Sequence, residues 1–146
     1  MKWSLFDAAA QLKKGAEVID HLGVVVADPQ IARRFYTAIL EPLGIVLLQH
    51  NGGWLVYGTG GTLPFFVVAF GRPTFWREQH MAAHSPIHLG FSAPSRTAVD
   101  AFYRAGLANG GSDNGAPGDR PSFSPYYAAY LLDPDGNNVE AGYRGG

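Results

Sequence analysis

The chain has 146 residues, 47% of them hydrophobic and 16% charged, and a formal net charge of −1. This size and composition are typical of one folded domain, or of two small halves that share a core. The scattered basic residues argue against nucleic acid or a membrane surface as a partner, and the absence of cysteine excludes thiolate catalysis and thiolate metal sites.

Residues 1–16 form an N-terminal extension. Apolar residues at helical spacing, Leu5, Ala9 and Leu12, predict a short helix packed on the main body or on a partner. A remnant of an expression vector is the alternative. The segment has no apolar core of the kind that signal peptides carry, so a cytoplasmic location is expected.

A strand, a helix and three further strands are predicted in residues 17–72. The β-branched segment 18–26 predicts a strand, and Asp28-Pro29 supplies an N-cap and a first helical residue. The helix that follows ends at Glu41-Pro42 and Gly44. Three strands, separated by glycine-rich turns, are then expected at 45–48, 54–58 and 65–70.

Residues 87–146 repeat the beginning of this pattern after a connector at 73–86. His21-Leu22-Gly23 returns as His88-Leu89-Gly90, and Phe35-Tyr36 returns as Phe102-Tyr103, at one offset of 67 residues. A repeat of this period indicates one supersecondary unit copied and packed against its twin. The predicted order is a strand at 87–92, a helix capped by Ser95, a long loop at 112–125 without a counterpart in the first copy, and a hairpin of strands 126–132 and 138–143 around Asp133-Pro134-Asp135-Gly136.

Strand alternation predicts where two histidines and one carboxylate lie. If alternate apolar residues of each strand face the helix of that copy, then His21, His88 and Glu140 all face the opposite side. Two imidazoles and a carboxylate suit a divalent metal, and a facial arrangement with open positions suits non-haem Fe(II). The alternative is that they are ordinary polar residues on a solvated sheet face.

These motifs resemble those of the vicinal oxygen chelate superfamily of glyoxalases, bleomycin-resistance proteins and extradiol dioxygenases. The resemblance covers about residues 18–144 and is most specific at Asp133-Pro134-Asp135-Gly136-Asn137 before Val139-Glu140. It implies an α+β fold in which tandem βαβββ modules form a curled mixed sheet around a central cavity. It also implies a divalent metal (Fe, Mn, Ni or Zn) held by His21, His88 and Glu140. The chain departs from the glyoxalase pattern at residues 65–70, which are apolar and offer no fourth ligand.

Further candidates line the expected cavity. Tyr126, Tyr127 and Tyr130 could donate hydroxyl groups, and Trp54, Tyr57 and Phe66 could form an aromatic wall, although core packing explains both sets equally well. Arg120 could bind a ligand carboxylate, with a surface position as the alternative. Tyr130 or Glu140 would move a proton, but Glu140 does not easily serve as both ligand and base.

Three functions follow from these residues. The first is a metal-dependent enzyme of the glyoxalase or dioxygenase type, with a small-molecule substrate that chelates the ion through adjacent oxygens. The second is a sequestration protein of the bleomycin-resistance type, without catalysis. The third, an interaction module, gives no reason for the paired histidines. The modules could pair within one chain or across a homodimer.

Overall fold

A computed structural model describes residues 19, 21–60, 64–72, 78, 87–121 and 125–145. The extension at 1–16 and most of the connector at 73–86 lie outside these residues. No helix in the described ranges is long and apolar enough to cross a membrane.

The first module has one helix and four strands. Asp28 caps the helix, because its Oδ1 accepts hydrogen bonds from the backbone N–H groups of Gln30 and Ile31 at 2.9 and 3.0 Å. A short 3₁₀ turn, Glu41–Leu43, ends at Gly44, whose φ of 77° lies in the left-handed region. The elements are β1 (His21–Val26), α1 (Pro29–Leu40), β2 (Val46–His50), β3 (Trp54–Gly58) and β4 (Phe65–Phe70).

The second module has the same order of elements, namely β5 (His88–Ser92), α2 (Arg96–Ala108), β6 (Ser112–Asp119), β7 (Tyr127–Leu132) and β8 (Asn138–Tyr143). Each module forms its own four-stranded sheet. The strand orders are β1-β4-β3-β2 and β5-β8-β7-β6, with the first two strands of each parallel. The predicted α+β fold with two βαβββ modules is thus confirmed, and the sheets are curled but not closed.

The prediction of a long loop at 112–125 was wrong in its first part. Ser112–Asp119 is a strand that pairs antiparallel with β7 and is the counterpart of β2. The glycines and Pro117 of this segment are typical of loops, and for this reason the sequence did not predict a strand there. They are tolerated because β6 lies at the edge of the sheet and is interrupted by register shifts on either side of Gly115.

Other boundaries differ from the prediction by a few residues. Among the strands, β1 begins at His21, β2 covers Val46–His50 and β5 begins at His88. The predicted strands at 54–58, 65–70 and 138–143 and both helix caps are confirmed.

The two modules pack through their helices and share one core. Gly106 of α2 permits this close approach, because a Cβ there would overlap Leu131 and press on Ile39 of α1. On the sheets, the rings of Phe66 and Phe91 meet edge to face at 5.2 Å. One face of each helix is therefore buried between the modules while its outer face is exposed, and the other face of each sheet is left open.

A buried carboxylate joins the modules. The hydroxyl of Tyr36 in α1 donates to Asp133 Oδ2 at 2.6 Å, and both residues are almost fully buried. Burial, followed by the neighbouring charge of Asp133, raises the pKa of Tyr36 far above its usual value.

This pair predicts a loss of stability in alkali. Because the pKa of Tyr36 is raised in the folded state, its full contribution to the free energy of unfolding is present below about pH 10. This contribution falls at higher pH, where Tyr36 ionises in the unfolded chain. We expect Tyr36→Phe to lower the free energy of unfolding at pH 7 by about 1–3 kcal/mol, because a buried hydrogen bond to a charge is lost. Between pH 9 and 11, the variant should lose less further stability than the parent chain. Urea unfolding at each pH measures both effects.

Tyr127→Phe is the matched control. It removes a tyrosine–aspartate hydrogen bond of 2.7 Å to Asp100, but this bond is only partly buried. If both variants behave alike at pH 7 and in alkali, burial is not the cause and the interpretation of Tyr36 is wrong.

Candidate active site

The open face of the second sheet carries the candidate site. In the register of this sheet Glu140 lies beside Gly90 of β5 on one side and Tyr130 of β7 on the other. His88 lies one pleat away, next to Asn138. Because paired residues point to the same face, these polar side chains share the face that α2 does not cover.

Glu140 is at the centre of this group. Its Oε2 lies 2.9 Å from Nε2 of His88, and its Oε1 accepts a hydrogen bond of 2.5 Å from the hydroxyl of Tyr126. Glu140 is only 6% exposed, so both contacts offset the cost of removing a carboxylate from water. The His88 side chain is 52% exposed, and the pair is therefore accessible from the imidazole side.

Tyr126 reaches Glu140 because residue 142 has no side chain. A Cβ on Gly142 would overlap the Tyr126 hydroxyl and ring. The guanidinium of Arg144 lies 3.9 Å from the centroid of the Tyr126 ring. Burial, and next the hydrogen bond to Glu140, raise the pKa of Tyr126, so this hydroxyl stays protonated and acts as a donor at neutral pH.

Tyr130 lies on the same face, with its ring 6.4 Å from that of His88. Partial burial and the charge of Glu140 raise the pKa of Tyr130, while Arg120 opposes this effect. Tyr130 is therefore a proton donor rather than a base at neutral pH.

Arg120 is held against the ring of Tyr130. Its guanidinium carbon lies 4.9 Å from the Tyr130 centroid, and one Nη donates to the backbone carbonyls of Ala116 and Ala128 at 2.8 and 3.0 Å. Arg120 is thus partly buried against Tyr130, and its predicted role in binding a ligand stays a prediction.

The third predicted ligand, His21, lies on the other sheet. It begins β1, opposite in parity to the buried Val24 and Val26 and in register with Phe65 of β4. Within the described ranges, no three or more His, Asp or Glu side chains come together as a group that could hold a metal ion. One chain thus brings His88 and Glu140 together without His21.

The aromatic candidates divide between two faces. Trp54 is 46% exposed and shares the open face of the first sheet with Phe65. Tyr57 and Phe66 are buried under α1, where the Tyr57 hydroxyl bonds Thr37 at 3.0 Å. Tyr127 points to α2 and donates to Asp100. For these last three residues the geometry agrees with the core-packing alternative.

Sequence reasoning missed Arg144 and Gly142, which hold Tyr126 against Glu140. Strand alternation was sufficient to place Gly142 on the face of Glu140, because Gly142 lies two residues after Glu140 in the same strand. Arg144 follows the strand, where alternation no longer applies.

Comparisons with known proteins agree with this architecture. The sequence profile described as "Glyoxalase/Bleomycin resistance protein/Dioxygenase superfamily" matches residues 18–141. A solved structure titled a glyoxalase/bleomycin resistance protein, from Albidiferax ferrireducens T118, is 31% identical, with a TM-score of 0.70 over 88% of this chain and 100% of that one. A lactoylglutathione lyase from Agrobacterium tumefaciens is 20% identical, with a TM-score of 0.61 over 88% of this chain and 94% of that one, which shows the fold alone. Among curated proteins, none matches the chain.

The contact between Gly142 and Tyr126 predicts a coupled pair. We expect Gly142→Ala to lower the free energy of unfolding by about 1–3 kcal/mol, because Tyr126 must leave Glu140 to make room. In a Tyr126→Ala background the same substitution should cost much less, and urea unfolding of the double-mutant cycle measures the difference.

Gly90→Ala provides the control on the neighbouring strand. A Cβ there would lie 3.8 Å from Glu140 Oε2, an ordinary contact, so only a small effect is expected. Additive costs for Gly142→Ala and Tyr126→Ala would show that Gly142 does not make room for Tyr126.

Proposed function

The chain belongs to the glyoxalase/bleomycin resistance protein/dioxygenase superfamily, and we propose that it is a divalent-metal-dependent enzyme for a small molecule with two adjacent oxygens. One observation carries the proposal: His88 Nε2 and Glu140 Oε2 lie 2.9 Å apart on an accessible sheet face. Two donors that each bind one ion at about 2.1 Å, at a right angle, are separated by about this distance.

The donor set fits such an ion. An imidazole nitrogen and a carboxylate oxygen suit Fe, Mn, Ni and Zn. The hydrogen bond from Tyr126 leaves Oε2 of Glu140 directed at His88, as expected of the partners that orient metal ligands. A divalent ion bound here would supply Lewis-acid chemistry to a chelating substrate, or oxygen chemistry in the case of iron.

A second copy of the chain would complete the site. His21 lies on the open face of the first sheet beside the apolar Phe65, and Trp54 lies on the same face toward the other end of the strands. A two-fold dimer that places this face against the second sheet of its partner would bring His21 to His88 and Glu140, and would also cover the exposed Trp54.

The tyrosines and Glu140 have separate roles in this proposal. Tyr126 holds Glu140, and Tyr130, which is protonated at neutral pH, donates a proton or a hydrogen bond to the substrate. Because Glu140 is occupied as a ligand, Tyr130 is the better candidate for proton transfer.

Elemental analysis of protein purified without an affinity tag tests the metal. We expect Fe, Mn, Ni or Zn at about one ion per site, and its loss in His21→Ala, His88→Ala and Glu140→Gln. Retention of metal in all three variants would contradict the ligand set. His50→Ala is the control, because His50 ends β2 and belongs to no proposed ligand group.

Mixing two inactive variants tests the dimer. If sites form across the interface, a heterodimer of His21→Ala and Glu140→Gln chains has one intact site and one doubly altered site. Metal content and activity should therefore return when the two proteins are unfolded together and refolded. If each site is built within one chain, every site in the mixture stays defective and nothing returns.

The second candidate function is binding without catalysis. It is favoured by β4, whose six side chains are all apolar and supply no ligand. No metal above background, together with tight binding of an aromatic compound, would support it. If metal is present, oxygen uptake with catechols indicates a dioxygenase, and loss of a methylglyoxal–thiol adduct indicates a lyase or isomerase.

A further inference from the structure

We infer that the substrate is an anion, and that Arg120 and Arg144 bind its carboxylate or phosphoryl group beside Glu140. This inference deepens the proposed function and rests on it for the place of the substrate. Neither guanidinium group is among the proposed metal ligands.

Both arginines are tied to the residues that surround Glu140. Arg120 stacks on Tyr130 at 4.9 Å, and Arg144 stacks on Tyr126 at 3.9 Å. Tyr126 donates to Glu140, and Tyr130 lies beside it in the register. Each guanidinium therefore stacks on a tyrosine that neighbours the central carboxylate.

Among the described residues, Arg120 is fixed in place without a carboxylate. One Nη donates to two backbone carbonyls, and the buried Nε has no acceptor. The adjacent acid, Asp119, is already engaged by Arg96 through two bonds of 2.7 and 3.2 Å. A guanidinium held rigidly by carbonyls keeps its full charge available for an outside anion.

The local charge favours the same ligand. Arg120 has no carboxylate partner among the described residues, and a divalent ion on His88 and Glu140 would add further positive charge beside it. A small molecule with a negative group would balance this positive charge, and the planar guanidinium matches the oxygens of a carboxylate or a phosphoryl group.

Calorimetric titration of the purified protein tests the inference, with and without EDTA. The probes are lactate, inorganic phosphate and lactamide, which is the neutral analogue of lactate. We expect at least one anion to bind about tenfold or more tightly than lactamide, and Arg120→Gln and Arg144→Gln each to weaken it by about tenfold. The anion that shows this dependence identifies the group as carboxylate or phosphoryl.

Two variants serve as controls. Arg104→Gln removes an equal charge from the exposed side of α2 and should leave binding within about twofold. Arg120→Lys keeps the charge but loses the fork, so it should restore only part of the affinity. Because Arg120 also holds β6 against β7, the exposed Arg144 provides a test that is less sensitive to folding, and circular dichroism checks each variant.

Three results would overturn the inference: equal binding of lactate and lactamide with no binding of phosphate, an equal loss in Arg104→Gln, or no binding of either anion up to about 10 mM. Different results would contradict the proposed function and the inference. Anion binding that depends on Arg144 in a protein without metal would leave the inference standing and remove the metalloenzyme, and metal without anion binding would do the reverse.

Discussion

The architecture depends on satisfying the buried carboxylate of Asp133. A buried charge is costly unless hydrogen bonds replace its water, and Asp133 accepts four: from Tyr36 of α1, from the backbone of Asp135, and from the backbone and side-chain amides of Asn137. Asn137 in turn accepts from the backbone of Ile87. One acid thus fixes the β7–β8 turn, the start of β5 and the contact between modules, which sets the position of β8 and of Glu140.

Glu140 is also a buried carboxylate that needs hydrogen-bond partners, but its partners are of a different kind. The four donors to Asp133 in the described part of the chain are all protein groups, as expected of a structural carboxylate. Glu140 is similarly buried, but one of its partners is the half-exposed His88. The pair is accessible to a small ion or ligand while Tyr126 keeps the carboxylate in place. This difference in partners, rather than in burial, distinguishes Glu140, the acid of the candidate site, from Asp133.

Local signals in the sequence were sufficient for most of the fold. Asp28 and Ser95 begin the helices because their side chains accept the first backbone N–H groups, a contact within a few residues. The repeat revealed two equivalent modules. The edge strand β6 was missed, because its pairing with β7 depends on a partner strand and not on its own glycines and proline.

The sequence by itself determined the alternation of each strand, and therefore that His88 and Glu140 share a face and that the core lies under the opposite one. Only the tertiary structure decided which faces meet. The helices pack between the modules and leave the two sheets separate, so His21 does not join the pair within the described part of one chain. Alternation is a property of single strands, whereas convergence depends on how distant elements pack. For the same reason the stacking of Arg144 on Tyr126, and the room that Gly142 provides, appear only in three dimensions.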